Sequence, residues 1–167
     1  MQLLVIRHAI AEDRDVFAAS GQSDAERPLT AEGARKMRRA ARGLHHIVPA
    51  IDVLVSSPLT RANETAEILR REYEIACIES AEALQPDVAL DDVVAWMAKY
   101  RAGVVAIVGH EPQLGRLVTY LISGVDHTGV ELKKGGASMI DFEGKPEKGA
   151  GVLRWSIPPG RLRDFAG

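Results

Sequence analysis

Cysteine is nearly absent from this chain: Cys77 stands alone among 167 residues. One thiol cannot close an intramolecular disulfide, and no Cys/His framework of the kind that holds a structural zinc ion can be assembled from it. Aromatic residues are also scarce, at 5%. An excess of charge is missing too: 21 Lys and Arg against 23 Asp and Glu leave a formal net charge of -2. That balance gives no global attraction to nucleic acid or to an anionic membrane, so neither is an expected partner, and any ligand must be recognised locally. Long hydrophobic runs are lacking as well. The N-terminal run Leu3 to Ile6 is cut off by Arg7-His8 and has no basic leader, so neither a signal peptide nor a membrane span is expected there. With a single cysteine, a reducing cytoplasm is the expected location.

The residues that are present suit one compact domain covering 1–167, since 46% are hydrophobic and the length is ample for a core without staples. Three short runs, Leu3-Leu4-Val5-Ile6, Val53-Leu54-Val55 and Val104-Val105-Ala106-Ile107-Val108, lack period-two alternation. This pattern predicts strands buried on both faces of a largely parallel sheet. After the first run comes a polar loop, Ala11 to Pro28, and then a helix capped by Thr30, with Met37, Ala41, Leu44 and Val48 at helical spacing. After the second, Ser57-Pro58 reads as N-cap and first helical residue, with Leu59, Ala62, Ala66, Leu69 and Tyr73 as the apolar stripe and Arg61 in the first turn. A third helix is expected over about Leu90 to Tyr100, and a fourth after Pro112 with Leu114, Leu117, Val118 and Leu121 facing inward. The tail, Ala137 to Phe142 and Val152 to Ile157, reads as a hairpin of added antiparallel strands. The expected fold class is therefore α/β, a three-layer α/β/α sandwich with a mostly parallel sheet and a C-terminal antiparallel hairpin.

In such a sheet ligands bind beyond the carboxyl ends of the strands, near the point where strand order reverses. Arg7-His8 and Gly109-His110 both end strands on that edge, and the turn at Ser57 opens a helix whose free N–H groups suit an anion. Two guanidiniums (Arg7, Arg61), two imidazoles (His8, His110) and a helix start are thus expected to converge. A donor-rich set without a carboxylate cluster fits phosphate better than a divalent metal, so no metal and no cofactor is expected.

The fragments "LLVIRHA", "RPLTAEGARKM", "VLVSSPLTRANETAEIL" and "VAIVGHEPQLGRLV" resemble, in order and spacing, the histidine phosphatase superfamily, named for an Arg-His-Gly motif. Lys133-Lys134-Gly135-Gly136 and the closing "LRWSIPPGRLR" look most like the small bacterial phosphohistidine phosphatases of the SixA type. The resemblance implies a phosphoglycerate mutase-like fold and a phosphatase working through a covalent phosphohistidine. It implies that His8 is the nucleophile, that Arg7 and Arg61 hold the phosphoryl oxygens, and that His110 donates to them, with Ser57 a further candidate ligand. Ala9 stands where the motif has glycine. The family's general acid has no distinctive counterpart, and Glu82, Asp87 and Glu111 are all candidates. An alkoxide leaving group needs a proton far more than imidazole or phosphate does, which favours labile N–P or anhydride bonds. The expected partner is a phosphorylated protein, such as a phosphotransfer domain, with phosphohistidine as substrate. A small phosphorylated substrate, pyrophosphate or polyphosphate, is the alternative within the superfamily. A module that binds phosphoproteins without turnover is the non-enzyme alternative, against which the retained nucleophile and arginines speak.

Each signal also has a structural explanation. Arg61 alone could pair on the surface with Glu64 or Glu67, and Ser57 could be only a helix cap. The basic run Arg35-Lys36-Arg38-Arg39-Arg42 suits a solvated helix face, and Trp96 and Met97 suit core packing. It is the joint occurrence of Arg7, His8, Arg61 and His110 that carries the argument. The sequence leaves the oligomeric state open.

Overall fold

Leu3, Leu4, Val5 and Ile6 have no accessible surface, so the first strand is covered on both faces. The structure is a computed structural model that describes residues 1–101 and 103–167. Its strands are β1 (Gln2–Arg7), β2 (Val53–Ser56), β3 (Glu79–Ser80), β4 (Val104–Gly109), β5 (Ala137–Asp141) and β6 (Val152–Ile157). They form one sheet in the order β3-β2-β4-β1-β5-β6. The first four are mutually parallel, whereas β5 and β6 run antiparallel to their neighbours.

The helices are α1 (Arg14–Ala18), α2 (Ala31–Ile47), α3 (Thr60–Glu72), α4 (Leu90–Met97), α5 (Gln113–Ser123) and α6 (Pro159–Asp164). Met37, Ala41 and Leu44 of α2, Ala62, Ala66 and Leu69 of α3 and Leu162 of α6 pack on Leu4, Ile6, Leu54, Ala106 and Val108. On the opposite face Val93 and Met97 of α4 and Leu114, Leu117, Val118 and Leu121 of α5 meet Leu3, Val5, Val55, Val105 and Ile107. Each strand therefore sends alternate residues into separate cores, which is why the parallel strands read as unbroken apolar runs. The expected three layers are present. Among the described residues, no helix is long and apolar enough to cross a membrane.

This arrangement positions the carboxyl ends of β1 and β4. The two strands are neighbours in register, Arg7 opposite Gly109, and the His8 N–H donates to the Gly109 carbonyl at 3.0 Å. The chain leaves β1 toward the α2 face and β4 toward the α5 face, so a crevice opens between them as strand-order reversal requires. Gly33 lets α2 press on the loop after His8, because a Cβ there would overlap the Ile10 carbonyl oxygen.

Four local expectations need correction. The third helix of the chain begins at Thr60 rather than Pro58, and its N-cap, Leu59, has no side-chain cap bond. Ser57 is diverted, for its hydroxyl meets His110 instead. The polar loop Ala11 to Pro28 contains α1 and a 3-10 turn, Asp24–Glu26, neither of which buries a residue; without an apolar stripe, periodicity has nothing to detect. Helix α4 ends at Met97 rather than Tyr100. Strand β3, two exposed residues long, and α6 were not anticipated.

Candidate active site

Strand β1 ends by delivering two side chains in succession. Arg7, partly exposed, donates from Nη1 to the Leu132 carbonyl at 2.7 Å. His8 is only 6% exposed, and its Nδ1 lies 2.7 Å from the Ala9 carbonyl. A carbonyl can only accept, so Nδ1 carries the proton and Nε2 keeps its lone pair. Burial is the main reason that the His8 pKa falls from 6.5 to about 4; the Ala9 hydrogen bond opposes this, and Arg61, Arg7 and Lys134 add to it. Desolvation, not the neighbouring cations, is thus the larger cause. Ala9 is buried without a positive φ, so the missing motif glycine is tolerated. Its N–H donates to Thr65 Oγ1 at 3.0 Å, while the Thr65 hydroxyl donates to the Arg61 carbonyl at 2.7 Å, locking the His8 loop to α3.

Arg61 is 3% exposed and has neither Glu64 nor Glu67 as a partner: Nη1 donates to the Asp24 carbonyl at 2.9 Å and Nη2 lies 3.2 Å from Asp24 Oδ2. Asp24 also accepts from Arg27 Nε at 2.8 Å. Burial would raise the Asp24 pKa, yet the Arg27 hydrogen bond and the charges of Arg61, Arg27 and Arg14 hold it below the ordinary value. Arg27 Nη1 donates to the Glu12 carbonyl at 2.7 Å, so the segment from Glu12 to Arg27 is strapped across the crevice by ion pairs rather than by apolar packing.

His110 follows β4 as His8 follows β1, and the two rings are tilted with centroids 5.1 Å apart. Its Nε2 is 2.8 Å from Ser57 Oγ. The Leu59 N–H donates to that same hydroxyl oxygen at 3.4 Å; where the Ser57 proton is given to Nε2, Nδ1 is the N–H donor of the ring. Burial, then the charges of His8 and Arg61, lower the His110 pKa to about 3. Three buried nitrogens of this constellation, Arg7 Nε, Arg61 Nε and His110 Nδ1, have no hydrogen-bond partner among the described residues. Buried polar nitrogens without partners are costly, and all three belong to residues that line one cleft, which favours an acceptor-rich ligand there.

Arg7, His8, Arg61 and His110 all line one cleft of about 640 Å³. The expected convergence of these four is what the structure contains. Ser57 does not line it; fully buried, it orients His110 instead of meeting a ligand. Of the carboxylates, Asp87 and Glu111 line the cleft and Glu82 does not. Glu82 is exposed and accepts a hydrogen bond from Gln85. Glu111 is occupied, with Oε1 accepting the Leu132 N–H at 2.8 Å and Oε2 the Gly115 N–H at 3.3 Å. Sequence reasoning missed Asp24, Arg27 and Thr65. It also missed Gln113, which is buried and donates to the Gln85 and Val88 carbonyls at 2.6 and 3.2 Å, holding Pro86 and Asp87 at the cleft. An acidic residue three before an arginine was a signal for the Asp24–Arg27 pair, but not for its reach to Arg61.

A family model described as histidine phosphatase superfamily (branch 1) matches residues 3–85, a span that carries Arg7, His8 and Arg61. The chain belongs to the histidine phosphatase superfamily. An uncharacterized protein of Picosynechococcus sp. is 32% identical over 139 residues, covering 81% of this chain and 82% of its own. Among solved structures, the protein histidine phosphatase SixA complexed with tungstate aligns with a TM-score of 0.81 at 26% identity, over 97% of this chain and 99% of its own. The alpha-ribazole phosphatase from Shigella flexneri aligns with a TM-score of 0.70 at 18% identity, over 95% and 97% of the two chains. The fold of this superfamily member is thus shared by phosphatases of unlike substrates.

Proposed function

We propose that this protein is a phosphatase that acts through a covalent phosphohistidine at His8, with protein phosphohistidine as its substrate. The observation that carries the reading is one free lone pair, on His8 Nε2, in a cleft shared with Arg7, Arg61 and His110, each of which has a buried nitrogen without a partner among the described residues. Phosphoryl transfer asks little covalent chemistry of a protein; it asks for an in-line nucleophile and for positive charge on the equatorial oxygens. His8 Nε2 attacks phosphorus, the bond to the leaving group breaks, and the leaving group departs with a proton. Water then attacks the phosphohistidine, restoring His8 and releasing inorganic phosphate. A neutral nucleophile is required in the first step, and the lowered pKa of His8 provides it at neutral pH.

The choice of leaving group rests on the carboxylates. With Glu82 outside the cleft and Glu111 held by backbone N–H groups, Asp87 is the proton donor among the three candidates, placed at the exposed rim. A rim acid with no fixed partner among the described residues suits imidazole, a leaving group that needs little help. Likeness to SixA points the same way. Arg14, Arg27 and Lys134 also line the cleft and favour, as a second reading, a substrate with a further anionic group such as pyrophosphate. Turnover of a phosphohistidine protein, pyrophosphate, polyphosphate and an aryl phosphate at equal concentration, with alkaline quench, tests both. The expected result is fastest release from phosphohistidine and a base-stable, acid-labile adduct missing from His8→Asn; equal rates on all four, or no such adduct, would overturn the proposal.

A further inference from the structure

Glu111 was a candidate acid, but its surroundings assign it a different task. Its carboxylate faces two backbone donors, and one of them, the Leu132 N–H at 2.8 Å, belongs to the residue whose carbonyl accepts Arg7 Nη1 at 2.7 Å. Leu132 is itself buried, at 2% exposure, so its peptide groups have no water to turn to. Both polar groups of this one residue are therefore used, the N–H by Glu111 and the carbonyl by Arg7. The turn before β5 reinforces the placement, for the Gly135 N–H donates to the Arg7 and His8 carbonyls, each at 3.1 Å.

Helix α5 has made room for this. A Cβ on Gly115 would overlap the Val130 carbonyl oxygen and come within 2.9 Å of Glu111 Oε2, so the carboxylate can lie flat on the helix only because position 115 has no side chain. Because Glu111 follows His110 directly, the turn that presents the second imidazole also fixes, through Leu132, the first arginine.

We propose that Glu111 is a positioning residue that aims the Arg7 guanidinium at the phosphoryl oxygens by clamping Leu132, and that it is not the proton donor. The inference rests on the phosphatase reading only in taking Arg7 as an oxyanion ligand. The experiment is oxyanion affinity, measured by calorimetry with tungstate and inorganic phosphate, alongside kcat and KM on the best substrate. Glu111→Ala should weaken oxyanion binding about tenfold, as loss of an outer partner of a ligand-binding group typically does. Glu111→Gln should recover most of the affinity and turnover, since its amide oxygen can still accept the Leu132 N–H. In an Arg7→Ala background Glu111→Ala should add nothing further, the signature of two residues acting as one unit. Gly115→Ala should mimic Glu111→Ala. If Glu111→Ala does not fold by circular dichroism, Glu111→Asp, too short to span the same gap, takes its place.

Additive losses of Arg7→Ala and Glu111→Ala, or unchanged oxyanion affinity in Glu111→Ala or Glu111→Asp, would overturn the assignment. Glu111→Gln with binding intact but turnover lost would restore Glu111 as the acid. Failure of the wild-type protein to bind either oxyanion would instead defeat the phosphatase reading, a separate result.

Discussion

Acidification should destabilise this fold through two buried imidazoles, and His8 offers the clearest case. Its folded pKa is about 4 against 6.5 for an exposed histidine, with burial the main cause. Below pH 6.5 the unfolded chain therefore binds a proton that the folded chain refuses, so the stabilisation is whole above 6.5 and is lost as pH falls toward the folded value. Between pH 7 and about pH 4.5 the linkage relation gives a loss of about 2 kcal/mol for His8. His110, with a folded pKa of about 3 for the same principal reason, should lose a similar amount. Such losses are large against a typical net stability of about 5–15 kcal/mol. The perturbation is His8→Asn, whose side-chain amide can replace Nδ1 as donor to the Ala9 carbonyl while removing the titration. Urea unfolding of both proteins at the two pH values gives the difference of differences. Carboxylates such as Glu67, held near a pKa of about 2 by the Arg70 and Arg71 hydrogen bonds, also lose their contribution in acid but do so in both proteins. The wild type should lose about 2 kcal/mol more than the variant; equal losses would refute the claim that His8 is folded in its neutral form.

Three other outcomes are expected. Arg61→Lys keeps the charge but loses the planar fork, and kcat/KM on phosphohistidine protein should fall about 100-fold; a rate near that of the wild type would remove Arg61 from the oxyanion pocket. Asp24→Ala frees Arg61, Arg27 and Arg14 from the carboxylate that holds the strap, so trypsin should cut after Arg14 faster than in the wild type, read by timed proteolysis. Vanadate, which copies the five-coordinate phosphorus, should inhibit competitively, and chelators should leave turnover intact; a strict requirement for added magnesium would contradict a mechanism run by the chain's own imidazole, guanidinium and carboxylate groups.

Much of this was legible in order along the chain. The strands at Leu3, Val53 and Val104 declared themselves as unbroken apolar runs because both faces of the sheet are covered, and Thr30 declared a helix start because a hydroxyl there meets the Gly33 N–H at 2.9 Å. Arg7-His8 and Gly109-His110 were recognisable because polar residues directly after a buried strand must emerge at its carboxyl edge. Short elements escaped notice, since the five residues of α1 and the two of β3 bury nothing and so carry no periodic signal.

The amino-acid order by itself determined the layered α/β architecture and the four residues of the candidate pocket, because burial periodicity and strand ends are local properties. Only the tertiary structure decided which polar atoms meet: Ser57 with His110 rather than with its own helix, Arg61 with Asp24, and Glu111 with Leu132 rather than with open cleft. Those choices depend on contacts between residues far apart in the chain. Such contacts are selected by the cost of leaving a buried donor or acceptor alone, which no stretch of sequence displays before the layers close around it.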